Sequence, residues 1–175
     1  MAGRADVFRW TDVALFAGLS EAQLEKVKEI FSRLDTEAGV KVVKEGEEGD
    51  EMYILISGRV RISKSMIISG MSVPLAELRD PRKVLATLDG DICPSFGEMA
   101  LLDRDTRSAT VETLKPSVFL VTDRERFFGL VQREPLIGCH LLAILGKRLA
   151  ATVRKNNSEL VKLTTALALA LARRK

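Results

Sequence analysis

The residues with the most specific chemical content lie at 96–111, FGEMALLDRDTRSATV. Phe96 and Gly97 lead into Glu98, and Met99, Ala100, Leu101 and Leu102 follow. A charged bend over 103–106 then reaches Arg107 and Ser108, ahead of the strand-like Ala109-Thr110-Val111. A glycine lets backbone come close to a ligand. A helical turn starting near Glu98 would leave its first N–H groups free, a common way to hold phosphate. Arg107 adds a fork of donors that suits phosphate bidentately, and Ser108 adds a hydroxyl. Glu98 would repel phosphate, but it can accept a hydrogen bond from a hydroxyl beside one, such as a ribose 2'-OH. One carboxylate for a sugar, with one arginine and one helix start for phosphate, describes a site for a nucleotide with a single compact phosphate.

This stretch resembles the phosphate-binding cassette of the cyclic nucleotide-binding domains, the family of catabolite activator protein, the protein kinase A regulatory subunits and cyclic nucleotide-gated channels. The family pattern is roughly F-G-E-hydrophobic-A-L, a short variable bend, then R-[AST]-A-[TS]-V, and every fixed position is met. The likeness extends more loosely over residues 15–149. It takes in Leu15-Phe16-Ala17-Gly18-Leu19 and the run from Glu45-Gly46 through Met52-Tyr53 to Gly58. Between Gly90-Asp91 and Phe96 the chain carries Ile92-Cys93-Pro94-Ser95, about three residues more than the family has, and a bulge near the ribose is one expectation for them.

The resemblance implies an α+β fold: a β-jelly-roll (double-stranded β-helix) barrel with an N-terminal helix and C-terminal helices, the last one long. It also implies roles. Glu98 would accept from the ribose 2'-OH. The N–H groups of Met99 and Ala100, with Arg107 and Ser108, would hold the cyclic phosphate within the cassette that Phe96 and Gly97 open. Thr152 looks like the counterpart of a threonine that contacts adenine, and Asn156 lies one turn on. Both also read as ordinary helix residues, Thr152 on the surface and Asn156 as a polar seam position. Ser108 suits either base, and the reading favours cAMP with cGMP as the alternative.

Composition narrows the class. The chain has 175 residues, 46% of them hydrophobic, enough for one domain with a real core. Its net charge of +3 is too mild to argue by itself for nucleic acid. The first residues carry Arg4, Asp6 and Arg9 and no apolar signal core. No stretch of membrane-spanning length is free of charge, so no membrane is expected. Two cysteines are too few for a disulfide framework, and a reducing cytoplasm is the simpler setting. The single histidine, His140, sits in an apolar run and reads as packed or capped, not as a metal ligand. The acidic run over 45–51 lacks calcium-loop spacing and reads as a solvated turn, so no metal is expected. No nucleophile–base pair stands out, and the chain reads as a binder and not an enzyme.

The elements that must position the cassette follow from periodicity. Ser20-Glu21-Ala22-Gln23 has the form of a capping box, and Leu24, Val27, Ile30, Phe31 and Leu34 continue at helical spacing, which predicts a helix over 21–34. Strands are predicted around Val40–Val43, over 52–56, at Val60 and Ile62, over 84–88 and over 117–121. Residues 64–83 read as a long hairpin connection. Thr122 to Glu125 has the form of a second capping box, opening a short helix to Glu134; Pro135 breaks it and suits the first turn of the next helix, which is predicted from about Leu136 toward the end of the chain.

That last helix carries a heptad seam. Leu142, Leu149, Asn156, Leu163 and Ala170 form one row, and Gly146, Val153, Leu160 and Leu167 the other. The seam predicts a homodimer. The alternative is that the same face packs on the chain's own barrel, as 141–149 would in part. The expected division is a nucleotide-binding β-roll over 13–135 and a lid or dimerisation helix over 136–175. The expected mechanism is a ligand-driven closure of the cassette that repositions the last helix and reports to a second copy or a protein effector. Direct DNA binding is not expected, because no helix-turn-helix follows that helix. The alternatives are a fragment or relative of a transcription regulator, and an interaction module that has lost its ligand. Glu98 and Arg107 count against the last.

Overall fold

The computed structural model describes residues 8–66 and 82–172. The middle of the predicted 64–83 connection and the basic end at 173–175 lie outside the described residues. Two short 3-10 turns, Trp10–Asp12 and Ala14–Phe16, lead into helix α1 (Glu21–Lys28). The predicted capping box is present: Ser20 Oγ accepts from Gln23 N at 3.3 Å, and Gln23 Oε1 accepts from Ser20 N at 2.9 Å.

Helix α1 is shorter than its periodicity predicts. Residues 32–36 instead form strand β1 (Ser32–Thr36), with Leu34 opposite Phe119. Helical spacing over so short an apolar run cannot by itself exclude a strand. Ser32, Asp35 and Thr36 are also weak helix formers. The ladder partner that decides the matter lies far along the chain.

Strands β2 (Lys41–Val43), β3 (Met52–Ser57), β4 (Arg59–Ser65), β5 (Arg82–Asp89), β6 (Ser95–Phe96), β7 (Thr110–Thr113) and β8 (Ser117–Thr122) complete the roll. They form two antiparallel four-stranded sheets, ordered β1-β8-β3-β6 and β2-β7-β4-β5. This is the jelly-roll barrel expected from the sequence. Strands β4 and β5 pair as a hairpin out to Ser65 and Arg82.

Strand β3 shows why its sequence, MYILIS, is apolar without alternation. Successive side chains point to opposite faces, and both faces are covered. Met52 and Ile54 join a core formed with the helices, including Val27, Phe127 and Leu141. Tyr53 and Leu55 turn into the barrel with Val60, Phe96, Val111 and Phe119. Two cores thus share one strand, and any helix packed on the first is one backbone away from the second.

Between β6 and β7 the chain makes the short helix α2 (Glu98–Asp103). After β8 come α3 (Arg124–Arg133) and α4 (Pro135–Ala172). The cap of α3 is one residue later than predicted: Asp123, not Thr122, accepts from the helix, from Arg126 N at 2.8 Å. Thr122 is committed to the β8 ladder opposite Met52, and an aspartate caps as well as a threonine.

The start of α4 packs on the domain, burying Ile137, Gly138, Leu141 and Leu145. Burial of each leucine or isoleucine contributes about 1.5–3 kcal/mol. His140 is half-buried, with Nε2 at 2.8 Å from the Ala17 carbonyl oxygen, as a capped histidine should be. Farther along, the seam residues Val153, Leu160, Leu163 and Leu167 are exposed. By length and composition α4 is apolar enough to cross a membrane, but its buried residues show that it also serves as a docking helix for the barrel.

Candidate functional site

The cassette starts where β6 ends. Gly97 caps α2 with φ +85°, a left-handed conformation that a Cβ would strain. A Cβ there would also lie 2.7 Å from the Glu51 carbonyl oxygen. The first bond of the helix runs from Leu101 N to Gly97 O at 3.3 Å, so the N–H groups of Glu98, Met99 and Ala100 precede the ladder.

Arg107 is buried, only 6% exposed, and its surroundings explain how a charge is tolerated there. Nη1 donates to the Glu51 carbonyl oxygen at 2.7 Å, Nη2 pairs with the Glu51 carboxylate, and the guanidinium lies 6.0 Å from the centroid of the Tyr53 ring. Its backbone is fixed as well. Arg107 N donates to Glu47 O, and Gly46 N donates to Arg107 O, each at 2.9 Å. The acidic turn at 45–51 is therefore the seat of the arginine. A Cβ on Gly49 would meet Arg107 Nε and Nη2 at 2.8 Å, so that position has no room for a side chain.

Tyr53 holds the floor of this seat. Its ring stacks on Phe96 at 5.4 Å and meets Phe119 edge-on at 6.1 Å. Burial, with the Glu51 carboxylate nearby, pushes its phenol above the usual range, and the Arg107 charge opposes that shift.

A cavity of about 190 Å³ opens beside these groups. Phe96, Gly97, Glu98, Met99, Ala100, Arg107 and Ser108, the seven cassette residues expected from the sequence, all line it. Glu98 is half-buried and, among the described residues, its carboxylate has no hydrogen bond or ion pair. Ser108 is exposed, with Oγ 3.9 Å from Met99 Sδ.

The structure adds an apolar wall: Val43, Ile62 and Leu85, which motif reading missed, beside Ala109 and Val111 at the end of the cassette motif. The signal was present as alternation along the strands, but positions on β2, β7, β4 and β5 become neighbours only when these strands pair into one sheet. Glu51 and Gly49 were also missed, since both read as parts of a solvated turn. Thr152 and Asn156 are exposed on α4 and do not line the cavity.

The extra residues before the cassette do not form a bulge at the cavity. They make a 3-10 turn, Gly90–Ile92, followed by Cys93 in a left-handed conformation. Pro94 O then accepts from Leu55 N at 2.9 Å, which returns the chain to β3. Ile92 points to solvent, and Cys93 joins the helical core. The buried Cys93 side chain lines no part of the cavity.

The barrel thus brings a glycine-capped helical turn, a buried arginine and a glutamate unpaired among the described residues around one cavity. The model of the cyclic nucleotide-binding domain matches residues 33–134, and the chain belongs to that family. It is 32% identical over 162 residues to the CRP-like cAMP-activated global transcriptional regulator of Mycobacterium tuberculosis, covering 91% of this chain and 60% of that one. It is 30% identical to the cyclic AMP receptor protein of Thermus thermophilus, over 77% of this chain and 56% of the relative. A cGMP-dependent protein kinase of Caenorhabditis elegans is also 30% identical, over 69% of this chain but only 14% of the kinase. The chain thus spans little more than half of the bacterial relatives and a small part of the kinase. Among solved structures, the catabolite activator protein of Thermus thermophilus superposes with a TM-score of 0.68 at 29% identity, covering 86% of this chain and 62% of that one.

Proposed function

We propose that this chain is a regulatory module that binds cAMP, with cGMP as the alternative ligand, and does no catalysis itself. The observation that carries the reading is the common cavity of Glu98, the start of α2, Arg107 and Ser108. In this reading Glu98 accepts from the ribose 2'-OH. Arg107, Ser108 and the N–H groups of Met99 and Ala100 hold the cyclic phosphate. The base lies along the apolar wall toward Ile62 and Leu85. Thr152 and Asn156 reach it only if α4, or its copy in a second chain, swings over the cavity.

The unit over 13–135 senses, and the helix over 136–175 reports. Ligand shifts a population between two settings of α4 by its differential affinity for them. The exposed seam of α4 serves a homodimer or a protein effector. Two cysteines and a helix that docks on its own barrel fit a cytoplasmic protein with no membrane span. A second reading, the sensor part of a transcription regulator, is favoured by the match over 91% of this chain to the Mycobacterium tuberculosis regulator.

Calorimetric titration with cAMP and with cGMP tests the proposal. Binding of one nucleotide at micromolar strength or tighter, lost in Arg107→Ala, is the expected result. A folded protein that binds neither overturns it in favour of a ligand-less interaction module.

A further inference from the structure

Two arginines from the C-terminal helices grip the chain on either side of the start of the cassette, just before Phe96 and toward the end of α2. Arg148, on α4, donates Nη1 to the Ser95 hydroxyl and Nη2 to the Ser95 carbonyl oxygen, the latter at 2.9 Å. Arg124, on α3, donates Nη1 to the carbonyl oxygens of Leu101 and Leu102, at 2.5 and 2.8 Å. Its guanidinium also lies 4.5 Å from the centroid of the Phe128 ring.

Each contact answers a specific need. Ser95 and Phe96 are consecutive in β6, so they face opposite sides of the strand. Phe96 goes into the barrel, which turns Ser95 toward the helical layer, where it is buried. The residues that displace β6 from the Gly90 turn are those this chain has beyond the family pattern. Leu101 and Leu102 stand near the C-terminal end of α2, where a short helix leaves carbonyl oxygens without intrahelical donors. A guanidinium there supplies donors and a favourable charge. The two gripping helices are themselves in close contact, because a Cβ on Gly138 of α4 would fall 2.8 Å from Val131 Cα and Cγ1 of α3.

We propose that Arg124 and Arg148 are positioning residues that couple the cassette to the α3–α4 pair, so that a shift of α2 is carried into α4 from both the strand before it and its own C-terminal end. The proposal rests on the nucleotide-binding reading, in which Glu98 and the N–H groups of Met99 and Ala100 lie between the two grips. Neither arginine lines the cavity, so neither is assigned a ligand contact.

Amide hydrogen exchange on the full chain, with and without cAMP, is the test. Without nucleotide, Arg124→Ala should speed exchange in α2, and Arg148→Ala should speed it at residues 95–97, each by about tenfold for the loss of a charged hydrogen bond. Lys147→Ala, on the exposed neighbouring position, should change neither. With cAMP, the wild type should show altered protection over 149–160. Either alanine variant should still bind, but the change in α4 should shrink or vanish. Arg148→Lys, which keeps one donor, should restore part of it. Undiminished transmission to α4 in both alanine variants overturns the proposal. If Arg124→Ala does not fold, Arg124→Lys and Ser95→Ala carry the same test. If cAMP and cGMP protect no part of the wild type, the nucleotide reading fails, and the grips are judged on nucleotide-free exchange, where unchanged rates in α2 and at 95–97 overturn them.

Discussion

Arg107 and Glu51, 56 positions apart, hold one another at the mouth of the cavity, through the Glu51 carbonyl oxygen and through its carboxylate. The arginine side chain is 5% exposed and the glutamate 41%, so the buried charge is neutralised by a partner that still faces water. A phosphate arriving at Arg107 must share that charge with Glu51. Glu51→Gln keeps the backbone contact and the Tyr53 ring beneath the guanidinium, while removing one negative charge from the phosphate's surroundings. Cyclic nucleotide affinity should rise by about fivefold, the size expected for one partly solvated charge, and the gain should shrink as salt is added. Titration calorimetry at two ionic strengths checks both statements. Unchanged affinity at low salt would show that the carboxylate does not compete.

Gly97→Ala should damage the site and the fold together. The new methyl meets the Glu51 carbonyl oxygen, and the left-handed φ is strained for any residue with a Cβ. A loss of about 1–3 kcal/mol in stability is expected for the backbone conformation alone. Denaturant unfolding should give that loss, and nucleotide binding should fall with it because α2 begins at this residue. Gly39, also left-handed but with open space around it, offers the comparison: Gly39→Ala should lower stability without touching affinity.

The exposed seam of α4 should set the association state. Leu160 and Leu163 are 60% and 62% exposed in the single chain, so aspartate at either leaves the fold intact. Leu160→Asp with Leu163→Asp should convert a dimer to a monomer in analytical ultracentrifugation, with an unchanged melting profile of the barrel. A wild type that is monomeric at high micromolar concentration would remove the seam from the mechanism.

Alkaline pH should destabilise the fold through Cys93 and Tyr53. Burial raises the Cys93 thiol above its usual value, and the nearby Asp12 and Asp91 charges push the same way. The Tyr53 phenol is raised as well, again chiefly by burial. A raised pKa means that the unfolded chain loses its proton first. Above about pH 9 the native state then binds more protons than the unfolded one, and stability falls as pH climbs. Below that pH the contribution is fully present. Thermal unfolding from pH 7 to 10.5 should show the fall, and Cys93→Ala should lessen its slope in the lower part of that range.

What the sequence by itself determined was what is encoded within a few residues of chain. The turn into α2 is local, because Gly97 permits the left-handed conformation and Glu98 opens the helix. Ser20 and Gln23 cap each other across a single turn, and Pro135 starts a helix as a proline can. Tertiary structure decided whatever depends on a partner distant along the chain. Leu34 is a strand residue and not a helical one because β8 offers it a ladder. Thr122 yields the cap to Asp123 because Met52 stands opposite. Val43, Ile62, Leu85 and Val111 become a wall only when β2, β7, β4 and β5 pair into one sheet. Glu51 is a turn residue by its neighbours and the arginine's counter-charge by the fold. Arg148 is a surface residue by its heptad and a grip on Ser95 by the position of α4. In each case the local pattern allowed two outcomes of similar energy, and a long-range hydrogen bond, charge or packed face selected one of them.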